Sequence, residues 1–173
     1  MQQIIEPVLS HELKQIAGLT FEDDRFDNMP VSFNEFPLFK ERLNDLLELY
    51  GFGLEQPPKR GTRGYSNWDT SIGFNAFDLQ RHTASVDEHT DDVERPRYFG
   101  LFVVASVPGS TNRRSRYYDN RSEFRYFNEL GAKERTRLSV GDLLIFNPRR
   151  KHELIYFGDL VTLALFDVKK LKS

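Results

Sequence analysis

Gly141-Asp142-Leu143-Leu144-Ile145-Phe146-Asn147-Pro148 leads through Arg149-Arg150-Lys151 to His152. Four consecutive apolar side chains between a Gly-Asp and an Asn-Pro punctuation read as a short buried strand, too brief for an amphipathic helix. Similar runs lie around it. Upstream, Tyr98-Phe99-Gly100-Leu101-Phe102-Val103-Val104-Ala105 is almost continuously apolar and stops at Pro108-Gly109. Downstream, Glu153-Leu154-Ile155-Tyr156-Phe157 and the stretch from Leu160 to Val168 flank the turn Gly158-Asp159. Ser71 to Leu79 partly alternates apolar and polar residues, the period of a half-buried strand.

The first third reads differently. Ser10 to Gly18 predicts a short helix with Ser10 as N-cap and Gly18 as its stop. A second helix is predicted at about 37–50, where Leu38, Phe39, Leu43, Leu46, Leu47 and Tyr50 recur mostly at spacings of three and four. Residues 20–36 are acidic and irregular, and 55–64 form a loop. Residues 109–137 are Arg/Tyr-rich and poorly periodic, an insertion of the functional or mobile kind. The expectation is one domain over 1–173: a helical support region at 1–55 and a β core at 65–168. Two helices followed by many short strands predict a mostly β sandwich or barrel with the helices packed on one side.

At 173 residues and 39% hydrophobic content the chain can bury a substantial core. Its 15 Phe and 7 Tyr suit strands better than a helical bundle. With no cysteine, disulfides, thiolate catalysis and Cys-based zinc or iron–sulfur sites are excluded, so a metal must use His and carboxylate ligands. Met1 to Glu6 lacks the basic start and apolar run of a signal peptide, and no stretch approaches the ~18 apolar residues that span a bilayer. A cytoplasmic protein without a membrane partner is the default expectation. Oligomeric state is left open. No phosphate-cradling Gly-rich loop, Gly-x-Ser-x-Gly elbow, His-Glu-x-x-His helix or EF-hand loop occurs.

Charge is divided unevenly. Residues 1–55 hold 11 acids and 4 bases, a balance of −7, and 56–173 hold 15 acids and 20 bases, a balance of +5. The basic part includes Arg113, Arg114, Arg116, Arg121, Arg125, Arg135, Arg137, Arg149 and Arg150. Such a surface is either plainly solvated or an electropositive rim for an anionic substrate or nucleic acid. Asn112 to Tyr118 interleaves bases with aromatics, a pattern that can clamp phosphates and stack bases.

The chemistry concentrates in Asp87-Glu88-His89-Thr90-Asp91-Asp92. On a strand, residues i and i+2 share a face, so His89 and Asp91 can reach one ion. His152 follows a second buried strand and can return to the same place. Two imidazoles and one carboxylate on one face of a metal leave its other face open, the ligand set of non-haem Fe(II) oxygenases. The plain alternatives are a solvated loop histidine at 89 and a basic-surface histidine at 152. Glu88 and Asp92 are candidate partners for the ligands' second ring nitrogens. Tyr65, Trp68 and Tyr98 are candidate pocket walls or core residues.

The order strand, His-x-Asp, apolar strand, insertion, Gly-Asp-apolar-apolar-apolar-Phe, histidine, apolar strand resembles the Fe(II)/2-oxoglutarate-dependent dioxygenase superfamily over roughly residues 70–168. The prolyl-hydroxylase-like branch is the nearest in pattern. The resemblance implies a double-stranded β-helix (jelly roll), Fe(II) held by His89, Asp91 and His152, and 2-oxoglutarate as co-substrate. It also implies Arg or Lys about ten residues after the distal histidine to pair with the co-substrate's far carboxylate. Here that region is Leu160-Val161-Thr162-Leu163-Ala164. Thr162 offers a hydroxyl, and Arg97 or Arg81 would substitute from another strand. The expected function is hydroxylation of an anionic or macromolecular substrate. The alternatives are a non-catalytic jelly-roll module engaging protein or nucleic acid, and a cupin-like metalloenzyme that uses no keto acid.

Overall fold

The computed structural model describes residues 7–19, 28–55, 75–91, 98–107, 121–158 and 160–172. Helix α1 (Pro7–Ala17) is followed by strand β1 (Asn28–Ser32), a 3₁₀ turn (Phe33–Glu35), helix α2 (Pro37–Leu49) and strand β2 (Phe52–Leu54). Eight further strands complete the chain: β3 (Ala76–His82), β4 (Val86–His89), β5 (Tyr98–Val107), β6 (Glu123–Phe127), β7 (Lys133–Arg137), β8 (Leu143–Phe146), β9 (His152–Ile155) and β10 (Leu160–Lys170). They form two antiparallel sheets, a six-stranded one ordered β1-β3-β10-β5-β8 with β2 on the far end of β10, and a four-stranded one ordered β4-β9-β6-β7. This mostly β, two-sheet architecture with flanking N-terminal helices is a jelly roll. Among the described residues no helix is long and apolar enough to cross a membrane.

Strand parity divides the core in two. On β10, Ala164, Phe166 and Val168 face the helices, joined by Phe77 and Leu79 of β3, Phe102 and Val104 of β5, and Phe39, Leu43, Leu46 and Leu47 of α2. The alternate residues Val161 and Leu163 face the smaller sheet with Phe99, Leu101, Val103, Phe124, Phe146 and Leu154. β5, β8 and β10 are therefore apolar on both faces, which is why they read as continuous apolar runs. The second core is the space between the sheets, and it contains the site.

Several boundaries differ from the sequence reading. α1 begins at Pro7, so Ser10 lies inside it and is no N-cap; Gly18 ends it as expected, its N–H on the Lys14 carbonyl at 3.0 Å. β1, in a stretch read as irregular, is an edge strand that tolerates Pro30 because it pairs on one side. The described part of the 109–137 insertion is a hairpin, β6 and β7, closed by Asn128, whose Oδ1 accepts from the N–H groups of Leu130 and Ala132. β7 (Lys133-Glu134-Arg135-Thr136-Arg137) has no apolar residue because it is the outer edge of its sheet, where charge prevents further pairing.

The two helices are joined by a buried carboxylate. Pro37 starts α2 without a donor, and the next two N–H groups, of Leu38 and Phe39, point at the oxygens of Glu12 on α1, 3.4 and 2.7 Å away. Glu12 thus caps α2 from another element and meets the positive end of its dipole. Glu12→Ala is expected to lower unfolding stability by about 1 kcal/mol, with Glu12→Gln losing less, as read by urea titration.

Candidate metal centre

His89 and His152 are directly opposite each other in the β4–β9 pairing, where a bulge on β4 lies between Val86 and His89. Asp91, two residues beyond His89, is fixed by its backbone: its N–H donates to the Pro148 carbonyl at 2.8 Å. Pro148 belongs to the β8–β9 turn, itself shaped by Asn147, whose side chain accepts from the Arg149 N–H at 3.0 Å. The Gly141-Asp142 pair sets the start of β8. Gly141 adopts φ +90°, its N–H donates to the Val103 carbonyl, and the Asp142 carboxylate accepts from the Ser139 N–H at 2.9 Å. The three side chains thereby converge, each with a ligand atom within 4.8 Å of the others.

Their hydrogen bonds decide what they can hold. His89 Nδ1 lies 2.7 Å from the Asp87 carbonyl, and His152 Nδ1 lies 2.9 Å from the Arg150 carbonyl. A carbonyl only accepts, so each Nδ1 carries a proton and donates, which leaves each Nε2 of a neutral ring as a lone pair. Those lone pairs face the Asp91 carboxylate: His89 Nε2 is 3.4 Å from Oδ1 and His152 Nε2 is 3.3 Å from Oδ2. Acceptor faces acceptor twice. Protonating one ring would turn one contact into an ion pair and leave the other between acceptors, and protonating both would place two positive charges with ring centroids 4.4 Å apart, one of them on a residue only 6% exposed. A shared divalent cation satisfies all three groups. Bonds of about 2.1 Å at right angles put ligand atoms about 3 Å apart, close to the two His–Asp separations of 3.3 and 3.4 Å.

His152 is the buried member, with Phe146 and Phe124 at 5.0 and 6.1 Å between ring centroids. His89 and Asp91 are more open, their side chains 41% and 32% exposed. They face a cavity of about 450 Å³ between the sheets, whose apolar walls include Phe99, Leu101, Leu163 and Leu165 and whose polar wall is Asp78, Gln80 and His82 of β3. Burial pushes the Tyr126 phenol, beside His152 in the β6–β9 register, above its ordinary range.

The other candidates are placed as follows. Arg81 is not in this cavity: its guanidinium donates to the carbonyls of Ala17 and Leu19 at the end of α1. Thr162, buried and paired with Arg81, shares that helix-side face, because residues opposite each other across antiparallel strands point the same way. Of the three expected co-substrate partners, Arg81 and Thr162 are thus on the helix side of the large sheet, away from the cavity. Tyr98 packs on Phe52 in the helix-side core. Glu88 turns outward to Lys133 and Lys151, 3.3 and 3.8 Å away, so the backbone carbonyls, not Glu88, orient the imidazoles. Arg97, Asp92, Tyr65, Trp68 and residues 112–118 lie outside the described residues.

On the outer face of the small sheet, the bases are largely paired. Arg125 contacts Glu123 and Glu153, at 2.5 and 3.5 Å, Arg137 contacts Glu123 at 3.4 Å, and Lys133 reaches Glu153 at 3.1 Å. The hydrogen bond from Lys133 holds the Glu153 carboxyl below its usual range, and the same bond raises Lys133; the bond to Glu123 raises Arg125.

No protein-family model matches the chain, and no curated protein matches its sequence. Solved structures do match. A prolyl-4-hydroxylase from Pseudomonas putida is 13% identical, with 97% of each chain covered and a TM-score of 0.39. A cupin-2 domain containing protein from Shewanella frigidimarina is 10% identical over 53% of this chain and 69% of that one, with a TM-score of 0.31. A protein from Neisseria meningitidis is 13% identical over 53% and 72%, with a TM-score of 0.33.

Proposed function

We propose that the chain is a metal-dependent oxygenase that holds non-haem Fe(II) between His89, Asp91 and His152 and uses 2-oxoglutarate as co-substrate. The observation that carries the metal is the double acceptor-to-acceptor contact of Asp91 with two ring nitrogens whose other nitrogens are tied to backbone carbonyls. Two imidazoles and one carboxylate, with no thiolate in the chain, suit Fe(II) and leave coordination positions open. The ion would supply the oxygen redox chemistry that no side chain in the cavity can perform. The protein's part is positional. The carbonyls of Asp87 and Arg150 fix the tautomer and tilt of the rings, Phe124 and Phe146 keep water from His152, and the exposed side of His89 and Asp91 admits substrate.

One observation favours a second reading, a metal-dependent oxygenase at the same site without a keto acid. Among the described residues that line the cavity there is no Arg or Lys, while a dicarboxylate needs a cationic partner for its distal end. The proposal of an anionic macromolecule or nucleic acid as substrate, and of a non-catalytic binding module, draws little on the small sheet, where Arg125, Lys133 and Arg137 already hold glutamates.

Anaerobic titration with Fe(II) and then 2-oxoglutarate separates the readings. A weak visible charge-transfer band that needs both additions supports the first, and 1:1 metal binding without that band supports the second. Failure to bind metal would contradict both.

A further inference from the structure

The inward face of β3 is polar and half-buried. Asp78, Gln80 and His82 occupy three successive inward positions and all line the cavity shared with His89, Asp91 and His152. Their register partners on β10 are the apolar Leu165, Leu163 and Val161. Core-facing polar side chains cost stability unless they are hydrogen-bonded, so a polar wall opposite apolar ones has to be accounted for by what it meets.

Part of it is satisfied internally. Gln80 Nε2 donates to Asp78 Oδ2 at 2.8 Å, and His82 Nε2 lies 2.9 Å from Gln80 Oε1, so His82 carries its proton on Nε2 and donates. Asn28 of the edge strand adds a second, longer donor to the same Asp78 oxygen, 3.5 Å away. Both donors land on Oδ2. Oδ1 has no protein donor among the described residues and belongs to a carboxylate in the cavity wall. The amide chain fixes this carboxylate by one oxygen and leaves the other for a ligand. Besides Asp91, the other acid bordering the cavity is Glu153, whose carboxylate turns to the outer face of the small sheet and is engaged by Lys133 at 3.1 Å and Arg125 at 3.5 Å.

We infer that Asp78 is a specificity-determining residue: the cavity receives a substrate through a hydrogen-bond-donating, preferentially cationic group, an ammonium or guanidinium before an amide, held at Asp78 Oδ1 while the rest of the molecule lies toward His89, Asp91 and His152. The inference rests on the metal-centre reading, because the metal is what makes the other end of the cavity reactive. A donor bound to a carboxylate acceptor is the stronger and more selective contact, and a ligand that brings its own carboxylate to Oδ1 is repelled there.

The full chain loaded with Co(II) tests this by its visible spectrum. The probes share a metal-binding hydroxamate head and differ in tail: acetohydroxamate with none, and ω-substituted hydroxamates of three to six carbons ending in ammonium, primary amide or carboxylate. The best ammonium-tailed probe is expected to bind at least about tenfold tighter than its carboxylate counterpart. In Asp78→Asn, which keeps an acceptor for Gln80, that ratio falls to within about threefold while acetohydroxamate affinity and melting temperature stay as in the parent. Equal or tighter binding of the carboxylate tail, or a preference that survives in Asp78→Asn, overturns the inference and leaves the metal centre standing. A Co(II) spectrum that neither the protein nor acetohydroxamate perturbs overturns both.

Discussion

Asp91→Asn is expected to lower divalent-metal affinity by more than about 100-fold while the metal-free protein melts no lower than the parent. The first half follows from the ligand set. Losing a group that merely orients a ligand costs about 10–100-fold in affinity, so losing an anionic ligand itself costs more. The second half follows from the hydrogen positions. Without a cation, the Asp91 oxygens face two neutral rings' lone pairs at 3.3 and 3.4 Å, and a single added proton relieves only one of these contacts. An Asn amide can donate to one of those nitrogens and relieve that contact. In the parent protein, metal at 100 times its dissociation constant adds about 2.7 kcal/mol of stability, or roughly 5–10 °C in melting temperature for a chain of this size. That increment disappears in the variant. Differential scanning calorimetry with and without Mn(II) reads both halves. A metal-free variant that melts well below the parent would instead mark Asp91 as the partner of charged histidines in an ordinary structural cluster.

Gly100→Ala is expected to be the most damaging single methyl in the large sheet. Gly100 lies opposite Phe166 in the β5–β10 register, and a Cβ there would sit 2.2, 2.6 and 2.9 Å from three ring carbons of Phe166. The ring cannot yield easily. Phe166 is fully buried and packs edge-on against Phe33 at 6.2 Å between centroids. Overpacking of this kind costs about 1–3 kcal/mol and at times more, so the melting temperature should fall by roughly 2–12 °C. Trimming the obstacle in Gly100→Ala/Phe166→Leu should recover about half of the loss, because the two changes act on one space. A single variant that melts with the parent would show that the sheet and helix layer are less tightly packed than described.

The strands that read clearly are those whose side chains answer to one demand. β5, β8 and β10 are apolar on both faces because helices cover one face and the small sheet the other, and α2 shows its buried stripe. β7 was illegible because an edge strand gains nothing from apolar residues, and β1 was disguised by Pro30. The His89-x-Asp91 triplet and His152 were legible as types and spacing. Their meeting was not, since it depends on a β4–β9 register and on the Asp91 N–H binding the Pro148 carbonyl, neither of which has a side-chain signature. The side of β3 that Arg81 takes was legible. Phe77 and Leu79 mark one face of β3 as core, and Arg81 follows them at the same period, while Asp78, Gln80 and His82 take the other face.

Anomalous diffraction from crystals grown anaerobically with Fe(II) tests the metal centre most directly. The expected result is one peak at about 2.0–2.2 Å from His89 Nε2, His152 Nε2 and an Asp91 oxygen, with both Nδ1 atoms still on the Asp87 and Arg150 carbonyls. A peak elsewhere, or none at saturating metal, would contradict it.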